Sequence, residues 1–497
     1  MSFLIKKIKS HSLKQPNVVA IETEEFKLSY QSMWKIIKSF SNYIISKSLN
    51  QKVVIIGDIK SLSYLAILSC IYSGITYIPI SYNTPKKRLK EIIKISGSRL
   101  ILNLSKKKFF ISKKNKVINI KNLNFFENLD KTKKISKKKN KIVYIIFTSG
   151  STGEPKGVCI SKKSLDHYLI WLNSKFNIKK SKRCSQYPDI GFDLSIVDIM
   201  GTFCGGGTLV PVETNLDKLF PGDFIKKKNI THWVSVPSTI DLIMSSNQLK
   251  SNNFKNLEKI FFCGEPLHKY HLKKLFFANK KLLIINAYGP TEATVSCSYL
   301  LLNYKNYGDY ILNNVSFGKA IPNMIFMINK QIGEDFGELL ISGPQLFSSY
   351  FKKEKLYRQK ILNFQNKLFY KTGDIVKKKN GNYYFFSRKD RQIKKSGYRI
   401  ELEDIDSNLR KLGCSFAFSF FIKKKYIVSL VKSKIKIKKL YKNLTNNLPA
   451  YMLPEIYNID KVPFNLNKKV DLKKLENIAN LKNEKSKIDF RNIKKRT

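Results

Sequence analysis

Short runs of β-branched and aromatic residues recur along much of this chain, each followed by a longer stretch in which apolar and polar positions mix. Val53 to Ile56, Thr76 to Ile80, Leu100 to Leu102 and Ile142 to Phe147 have the length and composition of buried strands, and the stretches between them suit helices. Runs at Gly207 to Val212, Trp233 to Val236, Ile260 to Phe262 and Leu282 to Ile285 continue the alternation. That rhythm predicts parallel sheets covered by helices, an α/β fold. After Asn314 the texture shortens: Met324 to Ile328, Glu338 to Ile341 and Tyr383 to Phe386 are separated by turn residues, which predicts a β-rich subdomain over residues 314–388. A smaller, lysine-rich α+β unit follows, with apolar segments at Ser415 to Ile422 and Tyr426 to Val431. The expected architecture is a large N-terminal domain of stacked α/β sheets, residues 1–388, and a small mobile α+β C-terminal lid, residues 389–497, hinged at Asp390.

Tyr64 to Ile80 is uncharged and largely apolar. A membrane helix needs about 20 such residues, and this run contains Ser73, Gly74 and Pro79, so it predicts a buried helix, a glycine turn and a strand. No membrane insertion is expected, and the segment Met1 to His11 has too short an apolar run for a signal peptide. Lys+Arg number 92 against 36 Asp+Glu, a net charge of +56. Such an excess ordinarily points to nucleic acid or an anionic membrane. Here the lysines are spread along the whole chain, and only Lys106 to Lys116 and Lys131 to Lys141 are concentrated, both read as solvated surface or loop. No helix-turn-helix, zinc-finger or RNP-like pattern accompanies the charge, so no nucleic-acid partner is expected. Seven cysteines without C-x-x-C spacing indicate neither a disulfide framework nor a zinc site and suit a reducing, cytoplasmic setting. His268 and His271 lack a third metal ligand and are expected on an exposed helix face.

The candidate chemistry begins where Ile142 to Phe147 runs into Thr148, Ser149, Gly150, Ser151, Thr152 and Gly153, with Lys156 just beyond. Such a loop turns several N–H groups and hydroxyls onto one anion, and the lysine adds a point charge: a phosphate cradle. The spacing is not that of the P-loop, because Pro155 stands where that motif needs glycine and Gly157 follows the lysine. Downstream, Asn286-Ala287-Tyr288-Gly289-Pro290-Thr291-Glu292 puts an aromatic, a tight turn and a carboxylate just past the strand expected at Leu282 to Ile285, where open α/β sheets bind ligands. Tyr370-Lys371-Thr372-Gly373-Asp374 offers a carboxylate able to grip a ribose diol; Arg388-Lys389-Asp390 and Asn467-Lys468-Lys469-Val470-Asp471 follow. Singly, each has a structural alternative: Tyr288 as core filler, Glu292 as a helix N-terminal acid, Asp374 as a turn residue, Lys469 as one lysine among many.

In this order the segments resemble the adenylate-forming (AMP-binding) enzymes of the amino-acid adenylation type, with matching motifs from Leu28-Ser29-Tyr30 to Asp471. The resemblance implies an ATP-dependent, AMP-forming ligase that adenylates an amino acid and passes the aminoacyl group to the phosphopantetheine thiol of a carrier protein. It implies that Thr148, Ser149, Gly150, Ser151, Thr152, Gly153 and Lys156 hold the β,γ-phosphates. Asn286, Ala287, Tyr288, Gly289 and Thr291 would surround the nucleotide, with Tyr288 on adenine, and Asp374 with Arg388 would hold the ribose. Glu292 would hold Mg²⁺, and Lys469 would be catalytic, reaching the substrate carboxylate and the α-phosphate. The charges agree: a carboxylate attacking phosphorus brings two anions together, so the site must supply cations. Mg²⁺ takes only one or two protein carboxylates beside phosphates and water.

Phe192-Asp193-Leu194-Ser195 matches the family motif whose aspartate receives an α-ammonium group. The lining positions implied with Asp193 are Leu194, Val197, Ser235, Phe261, Cys263, Ala287, Val295 and Ser296. Phe261-Phe262-Cys263-Gly264-Glu265 narrows the implied substrate to D-alanine, with Cys263 favouring that enantiomer, although Cys263 also reads as a small buried core residue. The alternative is a stand-alone peptide-synthetase-type adenylation enzyme for another amino acid. About 26 residues follow Asp471, too few for a carrier domain, so the carrier protein is expected in trans, after the lid swings about Asp390 and presents the Gly397-Tyr398-Arg399 loop. A basic surface would speed encounter with an acidic carrier. Ser81, Ser387, Ser396, Lys468 and Leu472 depart from the family pattern without removing a nominated group.

Overall fold

A computed structural model describes the chain except for residues 49, 58–61, 106–114, 128, 130–139, 151–152, 331–332, 466–468 and 495–497. It folds into two compact units: Met1–Tyr82, Ser96–Phe147 and Gly157–Lys389 form the first, and Asn83–Ile95, Thr148–Lys156 and Asp390–Thr497 the second.

In the first unit the strands Lys52–Gly57, Thr76–Ser81, Leu100–Leu104 and Ile142–Thr148 belong to a seven-stranded sheet. Lys52–Gly57 runs parallel to Thr76–Ser81 on one side and to Leu100–Leu104 on the other. Val53 to Ile56 are all fully buried, which is why they read as one continuous apolar run. Tyr64 to Ile80 resolves as the helix Leu62–Ser73, Gly74 at φ 74° and the strand Thr76–Ser81, in line with the pattern. That helix is apolar all round; Leu65, Ala66, Leu68 and Cys70 are fully buried, and each large side chain contributes roughly 1.5–3 kcal/mol. Tyr64 donates to Gln186 Oε1 at 2.6 Å, tying the helix to the second large sheet.

The second sheet has nine strands. Leu283–Tyr288, Lys259–Phe262, His232–Ser235, Arg183–Gln186, Thr208–Pro211 and Val19–Glu22 form its parallel run, with Ser298–Leu302 and Lys27–Ser29 antiparallel on either side. Arg183–Gln186 carries no apolar run and escapes pattern reading; its neighbours make it a strand. The β-rich region is a five-stranded antiparallel sheet of Ile325–Asn329, Phe336–Ser342, Ile361–Phe364, Lys367–Lys379 and Asn382–Arg388.

The second unit carries a three-stranded sheet, Phe416–Ile422, Tyr426–Lys432 and Glu455–Asn458, with Ile405 and Leu409 of the helix Leu402–Lys411 in its core. Its hairpin Gln392–Lys395 with Tyr398–Glu401 closes through Ser396 at φ 51° and Gly397 at φ 80°, the two left-handed residues of a type I′ turn. Tyr398 and Arg399 are therefore strand residues, not the loop expected there. The α/β class with a β-rich region and a small α+β C-terminal portion is the observed one.

All seven cysteines are free and buried. Among the described residues no helix is long and apolar enough to cross a membrane. His271 is buried, contrary to expectation: its Nδ1 accepts from the His268 N–H at 3.2 Å and its Nε2 lies 3.2 Å from Asp241 Oδ1, so the pair caps a helix. The two lysine-rich tracts fall largely outside the described residues.

Candidate functional site

The nominated ribose carboxylate is built by strand register. Asp374 and Arg388 are direct cross-strand partners, and Arg388 Nη1 donates to Asp374 Oδ1 at 2.7 Å. Tyr288 donates its hydroxyl to Asp374 Oδ2 at 2.5 Å. Burial first, and then the Asp374 charge, pushes the Tyr288 hydroxyl well above the usual range, so it stays a donor. A carboxylate has about four lone-pair sites; the two contacts leave room for a diol. The Tyr288 ring stacks on Phe317, centroids 4.5 Å apart, so one aromatic neighbour is already in place. Asn286, Ala287 and Tyr288 are the last residues of the strand Leu283–Tyr288, not residues beyond it. Asn286 Nδ2 donates to Ser316 O at 2.8 Å, which makes it a brace.

Past that strand the chain turns sharply. Gly289 has no room for a side chain: a Cβ would lie 2.5 Å from Ser296 Cα. Thr291–Ala293 form a 3₁₀ turn that buries Glu292 completely, and Tyr350 donates to Glu292 Oε1 at 2.6 Å. Thr294 (φ 56°) and Val295 (φ 71°) are both left-handed, a rare state for β-branched residues that costs of order 1–3 kcal/mol each. Gln345 holds them there: its carbonyl accepts from Thr294 Oγ1 at 2.6 Å and its Nε2 donates to Ser296 O at 3.1 Å. Cys263 Sγ lies 3.7 Å from Val295 O, so the nominated specificity residue touches the strained turn. No group of three or more His, Cys, Asp or Glu among the described residues could hold a metal. One buried carboxylate, Glu292, fits an ion that draws its other ligands from phosphates and water.

Asp193 is half-buried and precedes the helix Ser195–Gly205, its carbonyl accepting from Ile196 N at 2.9 Å. Leu194 is half-buried beside it and Ala287 is 4% exposed. Three other lining candidates are engaged in the core. Val197 is fully buried; Phe261 packs on Phe176 and Trp171; the Ser235 hydroxyl accepts from Trp233 Nε1 at 2.9 Å and donates to Val236 O at 3.1 Å. Ser81, where the family has an acid, donates to Asp189 Oδ2 at 2.6 Å, so a carboxylate is supplied from elsewhere in the chain.

The nominated phosphate loop belongs to the second unit, where Ser149 and Lys156 have partners. Ser149 Oγ donates to Arg399 O at 3.0 Å and accepts from Glu401 N at 3.3 Å. Lys156 opens the strand Lys156–Ser161 and faces Glu401 Oε1 at 3.6 Å, both side chains less than a tenth exposed. The same oxygen accepts from Gln392 Nε2 at 2.6 Å. A Cβ on Gly150 would lie 2.3 Å from Glu154 O, and Gly153 (φ 77°) lies so close to the helix Leu402–Lys411 that a Cβ would meet Ser407 Oγ at 2.7 Å. Thr148 Oγ1 is buried with no hydrogen-bond partner among the described residues. Ser151 and Thr152 lie outside the described residues. Lys469 is exposed on a turn, its N–H donating to Asn465 Oδ1 at 3.0 Å, and the adjacent Asn467 and Lys468 lie outside the described residues. Asp390 opens the second unit's long segment, with Oδ1 accepting from Gln392 N at 3.2 Å. Glu401, Tyr350 and Gln345 were not legible as site residues. Glu401 lies two residues beyond Gly397-Tyr398-Arg399, which is a usable signal; Tyr350 and Gln345 carry none.

The model of the AMP-binding enzyme family matches residues 8–351, and the chain belongs to that family. It is 29% identical to the D-alanine–D-alanyl carrier protein ligase of Bacillus licheniformis, over 95% of this chain and 99% of that one. The ligase of the same name from Listeria monocytogenes is 28% identical over 96% and 99%. Among solved structures, the Vibrio cholerae adenylation domain AlmE in complex with glycyl-adenosine-5′-phosphate has the same fold, with a TM-score of 0.82 and 24% identity over 95% of this chain and 97% of that one. Holo-PA1221, a protein containing adenylation and PCP domains, has a TM-score of 0.79 at 20% identity, over 95% and 83%.

Proposed function

We propose that this chain adenylates D-alanine with ATP and transfers the D-alanyl group to the phosphopantetheine thiol of a carrier protein. The observation that carries the reading is the likeness, over 95% of the chain, to ligases of that name. In the first step a D-alanine carboxylate oxygen bonds to the α-phosphorus of ATP and pyrophosphate leaves; in the second the carrier thiolate attacks the acyl carbon and AMP leaves. Asp193 receives the α-ammonium group, Asp374 with Arg388 holds the ribose, and Tyr288 lies against adenine. Thr148, Ser149, Gly150, Ser151, Thr152, Gly153 and Lys156 take the β,γ-phosphates, and Lys469 neutralises the charge that gathers between carboxylate and α-phosphate. Glu292 would hold Mg²⁺, which when bound supplies positive charge to the phosphate oxygens. Asp390, the first residue after the first unit ends, is the proposed hinge. A cytoplasmic setting accords with seven free, buried cysteines.

Amino-acid-dependent exchange of pyrophosphate into ATP tests the proposal. D-alanine should support exchange better than L-alanine, Lys469→Ala should lower it by about a thousandfold or more, and Cys263→Ala should erode the stereopreference. Equal turnover of several larger amino acids would reject D-alanine and favour a peptide-synthetase-type enzyme.

A further inference from the structure

A cavity of about 340 Å³ opens in the first unit at the amino ends of three parallel strands, lined in part by Lys52, Thr76, Ile142, Ile145, Cys159 and Phe351. Lys52, Thr76 and Ile142 are each the first residue of their strand. None of the nominated nucleotide residues is among those that line the cavity.

Its charge is one-sided. Lys52 Nζ lies 4.8 Å from the centroid of the Phe351 ring and Lys352 Nζ lies 5.4 Å from it. A Cβ on Gly97 would be 4.0 Å from the first ammonium and 3.9 Å from the second, so the two cations are neighbours. Among the described residues no carboxylate lines the cavity. Burial, and then the Lys352 charge, lowers the Lys52 pKa. Two polar groups of the rim are paired: Asn140 Nδ2 donates to Thr76 Oγ1, which donates to Ile142 O, both at 2.7 Å. Burial raises the Cys159 thiol to about 11, so it stays protonated as part of the wall. Repulsion between two exposed lysines is worth only about 1 kcal/mol in water and would decide nothing by itself. The half-buried position of Lys52 in a cavity with apolar walls does decide, because such a cation gains most from an anion.

We propose that this cavity binds a small organic carboxylate with an apolar body. The carboxylate accepts from Lys52 and Lys352, and the body lies against Ile142, Ile145 and Phe351. The volume lies in the range of small-ligand pockets, about 300–1,000 Å³.

Calorimetric titration of the full chain with benzoate, benzamide and inorganic phosphate tests this. Benzoate should bind with a Kd below about 10 mM, and the neutral amide and the bodiless anion should each bind at least about tenfold more weakly. Lys52→Gln should weaken benzoate about tenfold and Lys352→Gln about threefold, with pyrophosphate exchange unchanged in both. Lys352 is on an exposed turn, so its substitution reads out the site even if Lys52→Gln does not fold. Absence of benzoate binding, equal binding of benzamide or phosphate, or affinity indifferent to both substitutions overturns the proposal.

Discussion

Asp374 and Lys156 are both buried charges nominated for the same nucleotide, yet the fold holds them differently. Asp374 receives a hydroxyl at 2.5 Å on one oxygen and a guanidinium at 2.7 Å on the other, both within the first unit. Lys156, in the second unit, faces a carboxylate oxygen at 3.6 Å, an ion pair beyond hydrogen-bond length, and that oxygen is shared with Gln392. Short charge-assisted bonds fixed by strand register make a preorganised acceptor. A long pair to a shared oxygen is easily exchanged, and a phosphate offers Lys156 the same charge in a better geometry. Asp374 is held ready to accept, whereas Lys156 faces a carboxylate that another anion could replace.

The sharpest way to break that comparison is Asp374→Asn. The amide removes the charge that Arg388, whose side chain is 12% exposed, meets at 2.7 Å. Removing one partner of a buried pair costs about 3–5 kcal/mol, so denaturant unfolding should show a loss of that order, and pyrophosphate exchange should fall with it. A loss under about 1 kcal/mol would mean that Asp374 is solvated and the preorganised end is not preorganised.

Glu401→Gln addresses the other end with a smaller effect. The substitution keeps an acceptor for Gln392 but removes the charge that Lys156 faces. If ATP must displace Glu401, the variant should bind a non-hydrolysable ATP analogue about tenfold more tightly, about 1.4 kcal/mol. Unchanged or weaker binding would show that the Lys156–Glu401 pair does not compete with nucleotide.

The asymmetry also explains what could be read from the sequence. Val53 to Ile56 and Tyr64 to Ile80 were legible because two-sided burial leaves a local signature, a continuous apolar run. Arg183–Gln186 was not, because its strand state comes from neighbours distant in sequence. Tyr288, Glu292 and Asp374 were legible through the resemblance of their segments to the adenylate-forming enzymes, but the register that sets Asp374 opposite Arg388 is a pairing fact that the segments do not contain. Ser235 and Phe261 were nominated for a pocket and are held by Trp233, Phe176 and Trp171, since a polar or aromatic residue at a strand end carries no mark of which neighbour claims it. Glu401 was missed because its importance lies in an ion pair with a residue 245 positions earlier.

The smallest predicted effect separates fold from function most cleanly. Thr148 Oγ1 is buried with no partner among the described residues, and an unsatisfied buried hydroxyl costs about 1–3 kcal/mol. Valine has the same branched shape, suits the strand end that Thr148 occupies, and carries no hydroxyl to leave unpaired. Thr148→Val should therefore leave stability unchanged or raise it by about 1 kcal/mol, while ATP-analogue affinity falls about fivefold through loss of a phosphate contact. The two readouts move in opposite directions, which a purely structural threonine cannot produce. If stability falls and affinity holds, the hydroxyl belongs to the fold, and the described part of the phosphate loop is left with Ser149 and Lys156, both already engaged by the strand Tyr398–Glu401.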